Sequence, residues 1–221
     1  MAGIAPAIVV LISGRGSNLK AILDAIARGE LNATVAGVIS NNPSAAGLVY
    51  AQAANVPTRI IDNRQFESRD TFDQKLMQTI DGFAPRLVVL AGFMRILGKD
   101  FIDHYSGRML NIHPSLLPHY PGLGTHARAL ADRVATHGAT VHFVTNEVDG
   151  GPIVAQASVP VQRDDTPLQL AARVLEQEHR IYPLAIGWYL AGRLTVQNGR
   201  VLLDGAIQPR QGLNAPKSKT V

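Results

Sequence analysis

Short apolar runs alternate with longer amphipathic segments over the first half of the chain. The runs are AIVVLIS, TVAGVIS, PTRIID, RLVVLAGF and RMLNIH. The segments between them, such as NLKAILDAIARGEL and RDTFDQKLMQTIDGF, carry apolar residues at helical spacing. This alternation predicts βαβ units, and the almost continuous apolar runs indicate a parallel sheet that is covered on both faces. We therefore expect an α/β fold of the doubly wound type.

The pattern changes after residue 124. THARALADRVATHG predicts a helix over 125–138, and ATVHFVTNEV and PIVAQASVPV predict an antiparallel hairpin, joined around Asp149-Gly150-Gly151, that extends the sheet. A long helix is predicted from the Thr-Pro pair at 166–167, and a second hairpin turns at Asn198-Gly199. We expect one domain over 1–205, with a first half at about 1–105 and a second half at about 106–205. Residues 206–221 are expected to form a flexible tail.

Composition excludes several classes of protein. No apolar run approaches the roughly 20 residues of a membrane helix, and the opening MAGIAPAIVVLISG is typical of a first strand and not of a signal peptide. A cytoplasmic protein that binds no membrane is expected. The absence of cysteine excludes disulfides, cysteine-ligated zinc and thiol nucleophiles. Three of the four net positive charges fall in 206–221, and no basic face with aromatics is evident, so no nucleic-acid partner is expected.

A glycine turn follows the first predicted strand. In LISGRGSNLKAIL the strand ends at Gly14-Arg15-Gly16, and a helix begins at Ser17 or Asn18. The backbone N–H groups of such a helix start can hold a phosphate, and glycine lets the phosphate come close. The third glycine of the dinucleotide fingerprint and the Gly-Lys-Ser/Thr of a P-loop are missing, which disfavours NAD and ATP. An ordinary turn with Ser17 as N-cap is the alternative.

Two polar residues end the last predicted parallel strand. Asn111 and His113 alternate with Leu110 and Ile112, so they point to the same face, at the strand end where open α/β folds bind ligands. Pro114 favours an extended conformation at His113. These features predict that the end of this strand and the loop after it form a wall of a ligand-binding site. The alternative is a histidine satisfied by a backbone carbonyl.

Two further features have weaker sequence support. Asp149 lies in an Asp-Gly turn, and on the residues alone a plain hairpin turn is the better explanation. Seven histidines occur without an H-x-H or H-E-x-x-H pattern, so we expect no metal site.

Four segments together resemble the phosphoribosylglycinamide formyltransferases, the folate-dependent formyl transferases of purine synthesis. They are LISGRGSNL, VLAGFMRIL, LNIHPSLLPHYPGLGTH and HGATVHFVTNEVDGGPI, and the resemblance runs from about residue 7 to 205. It implies a single catalytic domain over 1–205 with a nucleotide-binding half at about 1–105 and a folate and catalytic half at about 106–205. It implies a catalytic set of Asn111, His113 and Asp149. It also implies a ribonucleotide phosphate on Gly16, Ser17 and Asn18, with Glu178 near the ribose. The folate site would be lined by Arg69, Met94, Arg95, Ile96, Leu97, Asn111, Thr145, Asn146, Glu147, Val148 and Asp149.

The resemblance implies transfer of the formyl group of 10-formyltetrahydrofolate to the amine of a phosphoribosylglycinamide, by a monomer or homodimer. Two related activities are disfavoured, and a third alternative stays open. Methionyl-tRNA formyltransferases resemble this core but carry a further RNA-binding domain, and formyltetrahydrofolate hydrolases usually have a second histidine where Pro114 stands. The third alternative, from a different class, is a module that binds a phosphorylated metabolite without turnover.

Overall fold

A computed structural model describes residues 5–207, which form a seven-stranded sheet, a three-stranded sheet and flanking helices. The strands are β1 (Ala7–Ile12), β2 (Thr34–Ser40), β3 (Thr58–Ile60), β4 (Leu87–Leu90), β5 (Met109–His113), β6 (Thr136–Phe143), β7 (Ile153–Pro160), β8 (Leu194–Gln197), β9 (Arg200–Leu203) and β10 (Ala206–Ile207). The helices are α1 (Ser17–Ala27), α2 (Leu48–Ala53), α3 (Arg69–Asp81), α4 (Lys99–His104), α5 (Thr125–Ala131) and α6 (Pro167–Leu190), with a short 3₁₀ turn at Asn63–Gln65.

The large sheet has the order β3-β2-β1-β4-β5-β6-β7. Its first five members in this order are parallel, whereas β6 is antiparallel to β5 and β7 is antiparallel to β6. The prediction of a doubly wound α/β sheet extended by an antiparallel hairpin is therefore confirmed. The direction of strand addition reverses between β1 and β4, and the loops after these two strands consequently open a crevice at the carboxyl edge.

Alternate residues of each central strand enter two separate apolar cores. Val10 and Val89 face the core beneath α1 and α6, whereas Val9 and Val88 face the core beneath α3 and α4. All four side chains are fully buried. Burial on both faces explains why these strands are apolar at every position. Tyr182 of α6 fastens that helix to the sheet, because its hydroxyl donates to a backbone carbonyl of β4 and to one of β5.

Two predicted boundaries were wrong. The helix predicted over 125–138 ends at Ala131, and β6 already begins at Thr136. Arg133 has a left-handed backbone with φ of 50°, which reverses the chain without the glycine that usually marks such a helix end. Ala206 and Ile207, expected to belong to a flexible tail, pair with β9 as strand β10. The rest of the expected tail, 208–221, lies outside the described residues.

The predicted hairpin at Asn198-Gly199 is present between β8 and β9, and both turn residues have positive φ. None of the helices within residues 5–207 is long and apolar enough to cross a membrane.

Candidate active site

Two clefts open at the carboxyl edge of the parallel strands and meet there. The first, of about 830 Å³, is lined by the glycine turn after β1, the asparagines after β2 and one side of α6. The second, of about 580 Å³, is lined by the segments after β4 and β6 and by the end of β5. The residues common to both linings are Gly92, Met94, Ile112, Pro114 and His126. Two ligands bound in these clefts would therefore meet beside the last residues of β5.

The glycine turn leaves the start of α1 free for a ligand. Gly16 precedes the helix with φ of 71° and no side chain caps the helix start, so the first N–H groups point into the larger cleft. Glycine is required here for two reasons. The left-handed backbone disfavours a side chain, and a Cβ on Gly16 would lie 2.4 Å from the Cα of Gly47. Ser17 is the first helical residue and not the N-cap, so the alternative of an ordinary serine-capped turn was wrong.

Asn18 and Glu178 are brought together across 160 residues of sequence. The Asn18 Nδ2 atom donates to Glu178 Oε2 over 2.7 Å, and both side chains are buried in the wall of the first cleft. Burial raises the pKa of Glu178, while the hydrogen bond from Asn18 opposes that rise. The Asn18 side chain is thus engaged by Glu178, and its backbone N–H belongs to the uncapped start of α1. All four residues expected to hold the ribonucleotide, Gly16, Ser17, Asn18 and Glu178, line this cleft.

The second cleft has an apolar wall with exposed edges. Met94 and Ile96 are 67% and 66% exposed and Val148 is 57% exposed, all three within its lining. Ten of the eleven residues expected to line a folate site do line it: Met94, Arg95, Ile96, Leu97, Asn111, Thr145, Asn146, Glu147, Val148 and Asp149. Arg69 does not. It is the first residue of α3 and lies beside Gly98, directly after the lining segment.

The expected catalytic side chains converge at the junction of the two clefts. Asn111 and His113 project from the same face of β5, and Asp149 reaches them from the turn that follows β6. The His113 Nδ1 atom lies 3.4 Å from Asp149 Oδ2, and both side chains are about nine-tenths buried. Asp149 has φ of 54°, so it is both a turn residue and a partner of His113.

His142 also belongs to this group, although the sequence analysis did not select it. It lies opposite Asn111 in the β5–β6 ladder, and its Nε2 atom is 3.1 Å from Asn111 Nδ2. The His142 Nδ1 atom donates to the Phe143 carbonyl, so in the neutral ring Nε2 is an acceptor for Asn111. Burial lowers the pKa of His142, which keeps the ring neutral. His142 thereby orients the Asn111 amide and leaves one of its N–H bonds free.

The proline-rich loop after β5 contacts both members of the His113–Asp149 pair. The Tyr120 carbonyl lies 2.9 Å from His113 Nε2, and the Gly122 N–H donates to Asp149 Oδ2 over 2.8 Å. A left-handed backbone at Tyr120, with φ of 56°, turns the loop back over the site. His113 is thus satisfied by a backbone carbonyl, as one alternative supposed, but its second nitrogen faces a carboxylate. The loop was expected to form a site wall, and its Pro114 and Gly122 do line the second cleft.

Buried side chains of the antiparallel strands anchor this loop. The Thr140 hydroxyl donates to the Ser115 carbonyl over 2.6 Å and accepts from the Leu117 N–H over 3.0 Å. Gln156 of β7 donates to the Leu117 carbonyl over 2.8 Å. All of these groups are buried, where unpaired polar atoms would be costly. The hairpin therefore supports the loop as well as extending the sheet.

His126, which lines both clefts, packs against a further buried histidine, His137. The His126 and His137 rings are 5.2 Å apart and nearly perpendicular. Burial lowers the pKa of His137 to about 4 and also lowers the pKa of His126. Within residues 5–207, no group of three or more metal-ligating side chains is present.

The chain is similar to known formyl transferases along most of its length. Residues 7–186 match the family model described as formyl transferase. The phosphoribosylglycinamide formyltransferase of Escherichia coli is 51% identical over 208 residues, which are 94% of this chain and 98% of that protein.

Solved structures agree with this assignment. The structure of the phosphoribosylglycinamide formyltransferase of Coxiella burnetii superposes with a TM-score of 0.90 at 51% identity, over 96% of this chain and 99% of the other. A formyltetrahydrofolate deformylase of Pseudomonas putida is more distant, with a TM-score of 0.82 at 27% identity over 92% and 72% of the two chains. Since the family model matches residues 7–186 and a relative 51% identical covers 94% of the chain, the chain belongs to the formyl transferase family.

Proposed function

We propose that the chain transfers the formyl group of 10-formyltetrahydrofolate to the amine of N1-(5-phospho-D-ribosyl)glycinamide, the formylation step of purine synthesis. One observation carries the proposal. Two clefts, one with a free helix start and one with an apolar wall, meet at Asn111, His113 and Asp149. A ribonucleotide in the first and a folate in the second would bring amine and formyl carbon together at these side chains.

The first cleft suits a phosphorylated ribose. Its phosphate would accept N–H bonds from the start of α1, where Gly16 allows close approach and the helix dipole favours an anion. Glu178, held by Asn18, offers carboxylate oxygens that accept from ribose hydroxyls. In this arrangement the phosphate and ribose are fixed at one end, and the glycinamide amine points toward β5.

The second cleft suits a flat heterocycle with hydrogen-bonding edges. Among the described residues, the backbone N–H and C=O groups of Arg95, Ile96 and Leu97 have no hydrogen-bond partners. Met94, Ile96 and Val148 supply exposed apolar surface next to these groups. A volume of about 580 Å³ lies within the usual range of ligand sites. The bound folate would supply the activated formyl carbon.

The junction residues can stabilise formyl transfer and move its protons. Attack of an amine on a formyl carbon gives a tetrahedral species with an oxyanion, and the free N–H of Asn111 can donate to it. His113 donates from Nε2 to Tyr120 in the present structure, and a substrate atom would replace Tyr120 as that partner. Asp149 then orients His113 from the other side while the proton passes between the attacking amine and the leaving nitrogen.

A single chain supplies both clefts and all the proposed catalytic side chains. We infer that a monomer is sufficient for activity and that either a monomer or a homodimer is compatible with the site. We also propose that the protein is cytoplasmic and that it has no nucleic-acid partner. The distribution of positive charge supports the latter, since most of the net charge falls after residue 205.

The experiment is incubation with 10-formyltetrahydrofolate and each of two acceptors in parallel, glycinamide ribonucleotide and initiator methionyl-tRNA. A third incubation without an acceptor measures formate release. We expect formylated ribonucleotide as the main product, with formate release in buffer much slower. Formylation of tRNA alone, rapid formate release without an acceptor, or tight binding of both ligands without product would each reject the proposal.

A further inference from the structure

A backbone segment of four residues, Met94–Leu97, forms one wall of the second cleft, the proposed folate site, and among the described residues its backbone is hydrogen-bonded only at its ends. At one end the Met94 N–H donates to the Ser13 hydroxyl over 2.7 Å. At the other the N–H of Gly98, the next residue, donates to Asp73 Oδ2 over 2.6 Å. Since the segment between is not paired to any strand, its position depends on these two hydrogen bonds and on the Leu97 side chain, which is buried in the core beneath α3 and α4.

Asp73 is buried, and the catalytic chemistry does not use it. It lies on α3 and is only 3% exposed. Its Oδ1 atom has no partner among the described residues. Burial raises the pKa of this carboxyl, and the bond from Gly98 opposes that rise. A buried carboxyl group is unfavourable unless specific contacts offset the loss of hydration, and the Gly98 N–H supplies the one hydrogen bond to it among the described residues.

Helix capping does not explain Asp73. The start of α3 is already capped by Ser68 and Thr71, which bond reciprocally. Asp73 lies a full turn further along the helix and turns its side chain away toward another part of the chain. Its role therefore concerns Gly98 and not the stability of its own helix end.

Gly98 has no side chain, and this allows the Asp73 carboxylate to come close to its backbone. Its backbone, with φ of −76° and ψ of 166°, is one that any residue adopts. A Cβ at this position would nevertheless lie 2.9 Å from Asp73 Oδ2, which is too close for an unstrained contact. Glycine allows this close approach, whereas a side chain at position 98 would displace the Asp73 carboxylate. Both residues of the contact are thus explained by the same interaction.

Two arginines add an electrostatic contribution at the same place. Arg69 and Arg95 both lower the pKa of the Asp73 carboxyl through their charge, and Arg95 belongs to the segment itself. The carboxylate therefore attracts the segment in addition to binding its end.

We propose that Asp73 is a positioning residue that holds the Met94–Leu97 segment, through Gly98, in the conformation that binds the folate. The inference rests on the proposed function, because it assigns the segment to the folate. Asp73 lines neither of the two clefts. Its loss should therefore act on folate binding and leave ribonucleotide binding unchanged.

The test is steady-state kinetics of Asp73→Ala with each substrate varied in turn, together with calorimetric titration of tetrahydrofolate. We expect the folate KM and the tetrahydrofolate Kd to rise at least tenfold, because a charge-assisted buried hydrogen bond is lost. The ribonucleotide KM should stay within about twofold of wild type, since Met94 is the one residue of the segment that lines the ribonucleotide cleft, and its N–H is bound by Ser13 and not by Asp73. A purely structural role would instead lower Tm and the active fraction, with both KM values unchanged.

Three further variants sharpen the result. Asp73→Asn keeps an acceptor oxygen for the Gly98 N–H and should restore most of the folate affinity. Gly98→Ala should weaken folate binding as Asp73→Ala does, and it keeps the test open if Asp73→Ala does not fold. Asp81→Asn is the matched control. This carboxylate, at the far end of α3, accepts from the Tyr105 hydroxyl over 2.8 Å. Its loss should lower stability without changing the folate KM.

The inference is overturned if Asp73→Ala or Gly98→Ala leaves the folate KM at the wild-type value, or if Asp73→Asn is as impaired as Asp73→Ala. Failure of the underlying function would look different, because the wild-type protein itself would then show neither saturation by 10-formyltetrahydrofolate nor binding of tetrahydrofolate.

Discussion

Asp149 serves two structural purposes with one side chain. Its left-handed backbone makes the turn between β6 and β7, and aspartate tolerates this conformation better than most residues. Its carboxylate accepts from the Gly122 N–H and faces His113. Asp149 can therefore be a turn residue and a partner of His113 at the same time. Its substitution tests how much each role contributes to stability and to kcat.

We expect His113→Ala and Asp149→Asn each to lower kcat by roughly two to four orders of magnitude, the range of acid–base and electrostatic groups. Because the two side chains act as one unit, the double variant should lie within about tenfold of His113→Ala. The measurement is kcat for the three variants at saturating substrates.

Matched controls exist for both changes. His119→Ala removes an exposed histidine from the same loop, and Asp204→Asn alters another Asp-Gly turn, where Asp204 has φ of 53°. Neither should change kcat appreciably. If the logarithmic losses of His113→Ala and Asp149→Asn simply add, the two residues act independently. If Asp149→Asn lowers Tm at normal kcat, it is a turn residue only.

The start of α1 shows how a whole element contributes to binding. No single side chain forms the proposed phosphate site. The site arises because Gly16 ends a loop and lets several backbone N–H groups point in one direction. The contact between Gly16 and Gly47 adds a second constraint, since it places the start of α2 beside the start of α1.

Ser17→Asp should weaken ribonucleotide binding by at least tenfold while changing folate binding little, because a carboxylate would occupy the region where the phosphate binds. Tm should hardly change, since an acid in the first turn of a helix is favourable. Calorimetric titration with the ribonucleotide measures the effect. Ser68→Asp is the control, as it places the same charge at the start of α3. Unchanged nucleotide affinity in Ser17→Asp would reject the phosphate site.

The stability of the molecule should depend on its buried histidines below neutral pH. The pKa of His137 is about 4 in the fold, below the ordinary value of 6.5, because the ring is buried. Between these two values the unfolded chain binds a proton that the folded chain does not, so stability falls as pH falls from about 6.5 to 4. Burial lowers the pKa of His126, His142 and His179 as well, with the same sign.

We expect His137 to contribute about 1–2 kcal/mol to the loss of unfolding free energy between pH 7 and 5. Urea unfolding at the two pH values measures it, and His137→Gln should reduce the difference by that amount. His119→Gln, at an exposed position, should leave it as in wild type. Glu178 and Asp73 act in the opposite direction, because burial raises their pKa values, so only the comparison between variants isolates His137. An identical pH dependence in His137→Gln and wild type would contradict this assignment.

Dialysis against EDTA should leave turnover unchanged, because the proposed chemistry uses an amide donor and a histidine in place of a Lewis acid. The measurement is kcat before and after chelation, with buffer dialysis as the control. Loss of activity that zinc or magnesium restores would show that a metal takes part.

Much of the architecture could be predicted from the chain's local pattern. Apolar runs broken at regular intervals specify buried parallel strands and covering helices, because period and turn chemistry depend on near neighbours in sequence. The same reasoning located the glycine turn and the Asn111–His113 pair at strand ends. Resemblance to a family added Asp149 and Glu178, which spacing alone did not select.

Contacts between distant segments were decided only by the tertiary structure. His142 orients Asn111 because β6 pairs antiparallel to β5 in one register, and Asn18 meets Glu178 because α6 crosses the sheet beside α1. The close approach of Asp73 to Gly98 has no signature in either local sequence. The end of α5 also depends on Arg133, which has a left-handed backbone although it is not a glycine. Local preferences determine which elements form, whereas the packing of the whole chain determines which side chains meet.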